Sequence, residues 1–427
     1  MLSHVLSEVE KIKPDQTIVV HSPSYTDLIK NTATNFSKTK FVAQEQPLGT
    51  GDALKAATPS LDKGNNVLVL LGDVPLVKAK TLKALKEGIE NADILVLTTK
   101  LEKPTNYGRI KRDEQNKVMA IVEETECNNE EKKINEINSG IIAFSREHLE
   151  ELLSGLDASN KKGEYYLTDT IEIAHNKGLK VDTIITSSSE VFGVNDKKDL
   201  AEAERLKRAE LTNALMEQGV TICDPTRIDI RGTLKCGDDV YIDVNTVFEG
   251  DVELSNGATV RPFTSISNSY IGENTEIKAY STIDHSKIGN DCIIGPYARL
   301  RPGSDLKNES RVGNFVEIKK STIGERSKVP HLTYVGDTTV GTDSNIGAGT
   351  ITCNYDGANK HNTQIGDNVF IGSGVELVAP VLIEDGATIG AGSTISKSAP
   401  KGKLTIERAK QKTVDGWQRP TKSKDKK

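Results

Sequence analysis

The chain has 427 residues, enough for two or three domains, and its 55 basic and 61 acidic side chains leave a formal net charge of −6. That balance offers no basic field to nucleic acid, and the longest aliphatic run, Val67 to Leu71, is too short for a bilayer-spanning helix. No charged-then-apolar leader opens the chain, and five scattered cysteines fit a reduced, cytoplasmic protein better than a disulfide framework.

Residues 1–195 alternate strand and helix signals. Thr17–Val20, Val67–Leu71 and Ile94–Leu97 are short apolar runs rich in β-branched residues, with helical periodicity between them, as in Leu82 to Ile89. Apolar strands alternating with helices predict an α/β domain, Rossmann-like, around a mostly parallel sheet covered on both faces. Residues 196–220, dense in Ala, Leu, Glu, Lys and Arg up to Gly219, predict one linker helix.

From residue 221 to about 400 the period changes to six. Ile365, Ile371, Leu377, Ile383, Ile389 and Ile395 keep that step without a break, as do Ile288 and Ile294, and Tyr334, Val340 and Ile346. A period of six is neither helical nor a simple alternation. It predicts a triangular β-solenoid in which about 18 residues complete a coil and aliphatic side chains stack inward. Gly after many of these positions helps the chain turn its corners. Roughly 170 residues make nine or ten coils by that arithmetic. Columns of Ile, Val and Leu also account for only one Trp, ten Tyr and eight Phe beside 35 Gly. Residues 401–427 are charged and expected to form a tail, partly packed and then disordered.

The rhythm breaks between Thr352 and Ile365, which predicts a loop extruded over 354–364, the kind of scaffolded segment that carries chemistry. His331 is a candidate general base, although a lone surface His is as often simply solvated. Arg301, Lys319 and Lys360 are candidate phosphate ligands. The solenoid holds three histidines, His285, His331 and His361. The intervals between them are not multiples of a coil, so a zinc site is not expected. In the first domain Asp73 follows the strand at 67–71, at the carboxyl edge where α/β folds bind ligands; an isolated Asp there would otherwise serve as a helix N-cap.

The segments Ala298–Gly303, Gly313–Glu317, His331–Tyr334 and Asn345–Lys360 together resemble the bacterial bifunctional N-acetylglucosamine-1-phosphate uridyltransferase / glucosamine-1-phosphate acetyltransferase family. The first domain is similar to the same family through Gln44, Leu48–Gly51, Leu71–Asp73, Tyr107–Ile110, Val122–Glu123, Glu136–Gly140 and Gly193–Asn195. The resemblance implies a nucleotidyltransferase domain followed by a left-handed parallel β-helix of hexapeptide repeats, assembled as a homotrimer with active sites between subunits. It implies His331 as base, oriented by Glu317, with Arg301 and Lys319 gripping the sugar phosphate and Tyr334, Asn345 and Lys360 fixing the sugar. Ala348, Asn354, Tyr355, Ser373, Ala391 and Arg408 would line the acetyl-CoA site. Gln44, Gly49, Thr50, Leu71, Gly72, Asp73, Gly108, Glu123, Asn138 and Asn195 would hold the UDP-sugar. Asp73 and Asn195 would coordinate Mg²⁺, with UTP and acetyl-CoA as co-substrates.

One departure stands out. Family members open with a strand and a Gly-rich loop, roughly thirty residues that cradle the UTP phosphates, whereas this chain starts at Met1–Val5, in the following helix. The expectation is an N-terminally truncated first domain with severely impaired uridylyl transfer and intact acetyl transfer. The alternative is a sugar-phosphate nucleotidyltransferase whose β-helix is a scaffold without chemistry; a scaffold has no need for Arg301, Glu317, Lys319, His331 and Asn354.

Overall fold

In the computed structural model, which describes residues 1–33, 36 and 38–421, the chain divides into two units, Met1–Lys207 and Arg208–Lys427. The end of the expected tail, 422–427, lies outside the described residues. No helix among the described residues is long and apolar enough to cross a membrane.

The first unit runs α1 (Leu2–Lys11), β1 (Thr17–His21), α2 (Thr26–Ala33), β2 (Thr39–Ala43), α3 (Thr50–Ala57), β3 (Val67–Val69) and α4 (Ala79–Gly88). It continues with β4 (Ile94–Lys100), β5 (Arg109–Arg112), β6 (Val118–Val122), β7 (Glu136–Phe144), α5 (Arg146–Ser154), α6 (Asp169–Asn176) and β8 (Val181–Ile185). The expected α/β nucleotidyltransferase fold is present. Parallel pairing joins β1 to β2 and β4 to β8. The main sheet, in the order β6-β5-β7-β4-β8, is nevertheless mixed, because β7 runs antiparallel to β4, β5 and β3. Strands β5 and β6 add an antiparallel hairpin whose turn is closed by the Asp113 side chain and by Asn116 in the left-handed region. Helices cover both faces. Val5, Leu82 and Leu85 pack on Leu97 and Ile141, while Leu149, Leu152 and Ile171 pack on Ile94 and Ile142. The first backbone N–H groups of α4 lack helical partners, and carboxylates take their place: Ala79 N donates to Glu8 and Lys78 N to Glu190.

A helix, α7 (Lys197–Glu217), leads into the second unit, a three-faced parallel solenoid. Its first face is an eleven-stranded sheet among the described residues, including Arg311–Asn314, Lys328–His331 and Asn345–Ile346. The second face includes Arg299–Leu300, Glu317–Lys319 and Tyr334–Gly336; the third includes Asp305–Leu306, Thr322–Ile323 and Thr338–Val340. Register defines the coil: Ile283 pairs with Leu300, Leu300 with Ile318 and Ile318 with Val335, so long and short coils alternate here, differing by a single position. The hexad residues Ile365, Ile371, Leu377, Ile383, Ile389 and Ile395 are all buried, at 0–4% exposure. Tyr334 is the exception among the expected inward positions. It faces outward and Val335 takes the interior, since the shorter coil drops one position from the hexad count.

Side chains also run along the stack. Asn256, Asn290 and Asn308 accept backbone N–H groups from the preceding coil, at Asp238, Glu273 and Asn290, which satisfies donors where strands end. The loop expected at 354–364 is present: Ile351 pairs with Glu376, well beyond the length of an ordinary coil, and Tyr355 and Lys360 bridge across the insertion.

Because each interior side chain touches the coils above and below, truncating one leaves a cavity that neither neighbour can fill. Ile371→Ala is expected to cost about 2–5 kcal/mol, read as a lowered urea midpoint with the far-UV spectrum retained.

Candidate functional site

His331 ends a first-face strand, directly opposite Asn314 one coil earlier. Its Nδ1 lies 2.7 Å from Asn314 Oδ1. An amide oxygen only accepts, so Nδ1 carries the proton and Nε2 keeps its lone pair, the form a base requires. Glu317, expected to orient this ring, does otherwise within the chain. It sits across the corner on the second face and accepts from Arg301 Nη1 at 2.8 Å, with Arg299 at 3.6 Å.

The second face carries the cationic part. Lys319 Nζ lies 3.8 Å from Asp337 Oδ2, each side chain only 13% exposed. Asp337 also accepts from Asn354 Nδ2 at 2.5 Å, and Asn354 Nδ2 lies 3.5 Å from the Tyr334 hydroxyl. Lys360, delivered by the extruded loop, is held below the ordinary lysine range first by its contact with Lys319 and then by that charge, with Asp337 opposing. Two lysines on one carboxylate leave an uncompensated positive charge, the arrangement an anion would relieve. Lys360 therefore joins Lys319 in one candidate anion-binding cluster. The loop itself is braced by Asp356, which accepts the N–H groups of Asn359 and Ala358 and pairs with His361 at 2.7 Å; these contacts hold its carboxyl well below the usual range.

Ala348, Ser373 and Ala391 stack along the corner between the first and second faces. Gly374 N donates to Ala348 O, Gly392 N to Ser373 O, and Arg408 Nη1 to Ala391 O at 2.9 Å. Tyr355 is exposed on the loop. Asn345 stands apart from the lysine cluster, on the first face beside Lys328. Asn314 and Asp337 escaped the sequence reading as site residues. The signal was available, since each stands one coil before a selected residue, Asn314 before His331 and Asp337 before Asn354.

In the first unit, two groups of residues gather. Gln44 Nε2 donates to Gly49 O and to Asp52 Oδ2, and Thr50 Oγ1 accepts from Leu167 N. Gly49, at φ 111°, caps α3 so closely that a Cβ would stand 2.6 Å from Tyr165 O. The second group lies past β3. Asp73 O accepts from Val194 N at 2.9 Å, which places Asp73 next to the segment bearing Asn195. Asp73 caps no helix, since α4 begins only at Ala79. Asn138 N donates to Gly108 O, and the Asn138 side chain accepts from Gly140 N. Glu123 accepts from Thr168 Oγ1 at 3.0 Å. Arg109, 2% exposed, ties the Tyr107 carbonyl to Glu124 and so fixes the spacing of these segments.

Comparison with known proteins matches this geometry. Residues 1–190 match the nucleotidyl transferase family, and residues 362–397 match the bacterial transferase hexapeptide repeat. A bifunctional protein GlmU from Cupriavidus pinatubonensis is 48% identical over 99% of this chain and 93% of its own length. Those from Nitrosomonas europaea and a Janthinobacterium species are each 47% identical, over 100% and 99% of the chain and 93% of their own length. The chain belongs to the bifunctional GlmU family. It is thereby an acetyltransferase and uridyltransferase of UDP-N-acetylglucosamine synthesis, joining a nucleotidyltransferase domain to a left-handed parallel β-helix.

The first unit also holds a misplaced acid. Asp169, at the start of α6, is pushed up to about 6, by burial first and then by Asp157, Glu123 and Glu172. A carboxyl with a raised folded-state pKa lends stability below its unfolded value near 4 and loses it as pH rises through about 6. Asp169→Asn is accordingly expected to raise the melting temperature at pH 8 and to leave it unchanged at pH 4, measured by thermal unfolding across that range.

Proposed function

We propose that residues 221–400 move the acetyl group of acetyl-CoA to the amine of glucosamine-1-phosphate. In the same reading, residues 1–195 move uridylyl from UTP to the resulting N-acetylglucosamine-1-phosphate. The observation that carries the first half is the Asn314–His331 bond, which presents a lone pair at Nε2. His331 Nε2 takes a proton from the amine, the nitrogen attacks the thioester carbonyl, and the C–S bond breaks. The proton then passes to the departing thiolate. Arg301, Lys319 and Lys360 hold the phosphate, Tyr334 and Asn345 the sugar, and Glu317 faces the amine once its Arg301 partner engages phosphate. Asn354, Tyr355, Ala348, Ser373, Ala391 and Arg408 carry the acyl donor.

In the first unit, Gln44, Gly49 and Thr50 receive the base, while Leu71, Gly72, Gly108, Glu123 and Asn138 receive the sugar. Asp73 and Asn195, exposed oxygen donors on segments tied by the Val194–Asp73 bond, suit Mg²⁺. When bound, that ion neutralises charge on the triphosphate. We further place the protein in the cytoplasm, where its five free cysteines stay reduced, as a homotrimer acting only on small molecules.

His331→Ala is expected to lower the acetyl-transfer kcat by about 10²–10⁴-fold with assembly intact. Asn314→Ala should cost about tenfold, because the ring then samples the wrong tautomer. Asn314→Asp should restore rate while moving the acidic limb of the pH–rate profile upward, since a carboxylate stabilises the imidazolium. Steady-state assays of thiol release across pH decide it; full activity in His331→Ala removes that residue from the mechanism.

A further inference from the structure

The loop that delivers Lys360 carries a side-chain latch to which the chemistry above assigns no part. The extruded segment doubles back on itself. Tyr355 and Lys360 bridge antiparallel across it, and His361 N donates to Asn354 O at 2.8 Å at its base. Asp356 opens the turn between these arms and uses its two carboxylate oxygens differently. Oδ1 accepts the N–H groups of Asn359 and Ala358, at 2.6 and 2.8 Å, and so closes the turn. Oδ2 lies 2.7 Å from His361 Nε2. These contacts hold the Asp356 carboxyl well below the usual range, so it stays ionised and only accepts. His361 Nε2 therefore carries a proton, the reverse of His331, and donates a charge-assisted hydrogen bond from the returning arm to the turn. This ring is a tie, not a base.

Along an extended arm, adjacent side chains point to opposite sides. Lys360 reaches Lys319, and His361, next in the chain, reaches back to Asp356. Two ammonium groups held together repel, and an untied loop would relieve that repulsion by letting Lys360 swing outward. Asp337 opposes this from the solenoid side, and the Asp356–His361 bond opposes it from within the loop. We propose that His361 is a positioning residue for acetyl transfer: through Asp356 it holds the loop in the shape that keeps Lys360 beside Lys319, ready for the phosphate of the amino sugar. This rests on the acetyl-transfer reading above, in which both lysines hold that phosphate, and adds to it a residue that touches no substrate. The phosphate lies away from the bond being made, so its contacts are shared by the ground and transition states. Loosening them weakens binding and leaves the chemical step alone.

Steady-state kinetics of the full chain at saturating acetyl-CoA test it. His361→Ala should raise the KM for glucosamine-1-phosphate about five- to tenfold and leave kcat within about twofold. His361→Gln offers Asp356 an amide N–H in place of Nε2 and should restore the KM. Lys360→Ala should raise the KM as well, and adding His361→Ala to it should change it no further, because the latch acts only through that lysine. Three results overturn the latch while leaving Lys360 as a phosphate ligand: an unchanged KM in His361→Ala, effects of the two substitutions that multiply, or a Gln variant no better than Ala. An unchanged KM in Lys360→Ala overturns the phosphate reading itself, and the latch with it.

Discussion

The stacking register of the second unit governs everything built upon it. Each coil returns an aliphatic side chain to the same inward column, as Ile277, Ile294, Val312 and Val329 do on the first face. A slip of one position would turn that column outward and reverse every functional side chain. The reward for correct register is large, since each fully buried aliphatic contributes about 1.5–3 kcal/mol and the columns are continuous. The same register sets function, because residues one coil apart become neighbours: Asn314 meets His331, and Asp337 meets Asn354. The geometry of the candidate site is thus a by-product of core packing.

Much of this was legible in the sequence. The six-residue period identified the columns from Ile365 to Ile395 and marked where the loop interrupts them. What periodicity could not convey was the shorter of the two coil lengths, so Tyr334 was placed inward when Val335 holds that position. Family resemblance supplied site residues but not the contacts among them. Within one chain the register sets Glu317 on the second face, in a bond with Arg301. The mixed sheet of the first unit was hidden for another reason. Strand β7 is buried along nearly its whole length, and a strand buried on both faces carries no alternation to mark its direction.

The electrostatics of the lysine cluster argue that its geometry is prepared before any ligand arrives. Lys319 and Lys360 repel each other, and Asp337 offsets them within the chain. The loop that brings Lys360 to Lys319 is held by Asp356, His361 and the Tyr355–Lys360 bridge. A bound phosphate would then gain contacts without reorganising the protein, which is where electrostatic preorganisation obtains its effect. The interruption of the hexad rhythm is therefore no defect of the solenoid. Straight coils can place cations one coil apart on one face, but only an insertion between Thr352 and Thr363 can bring a second lysine back onto the first.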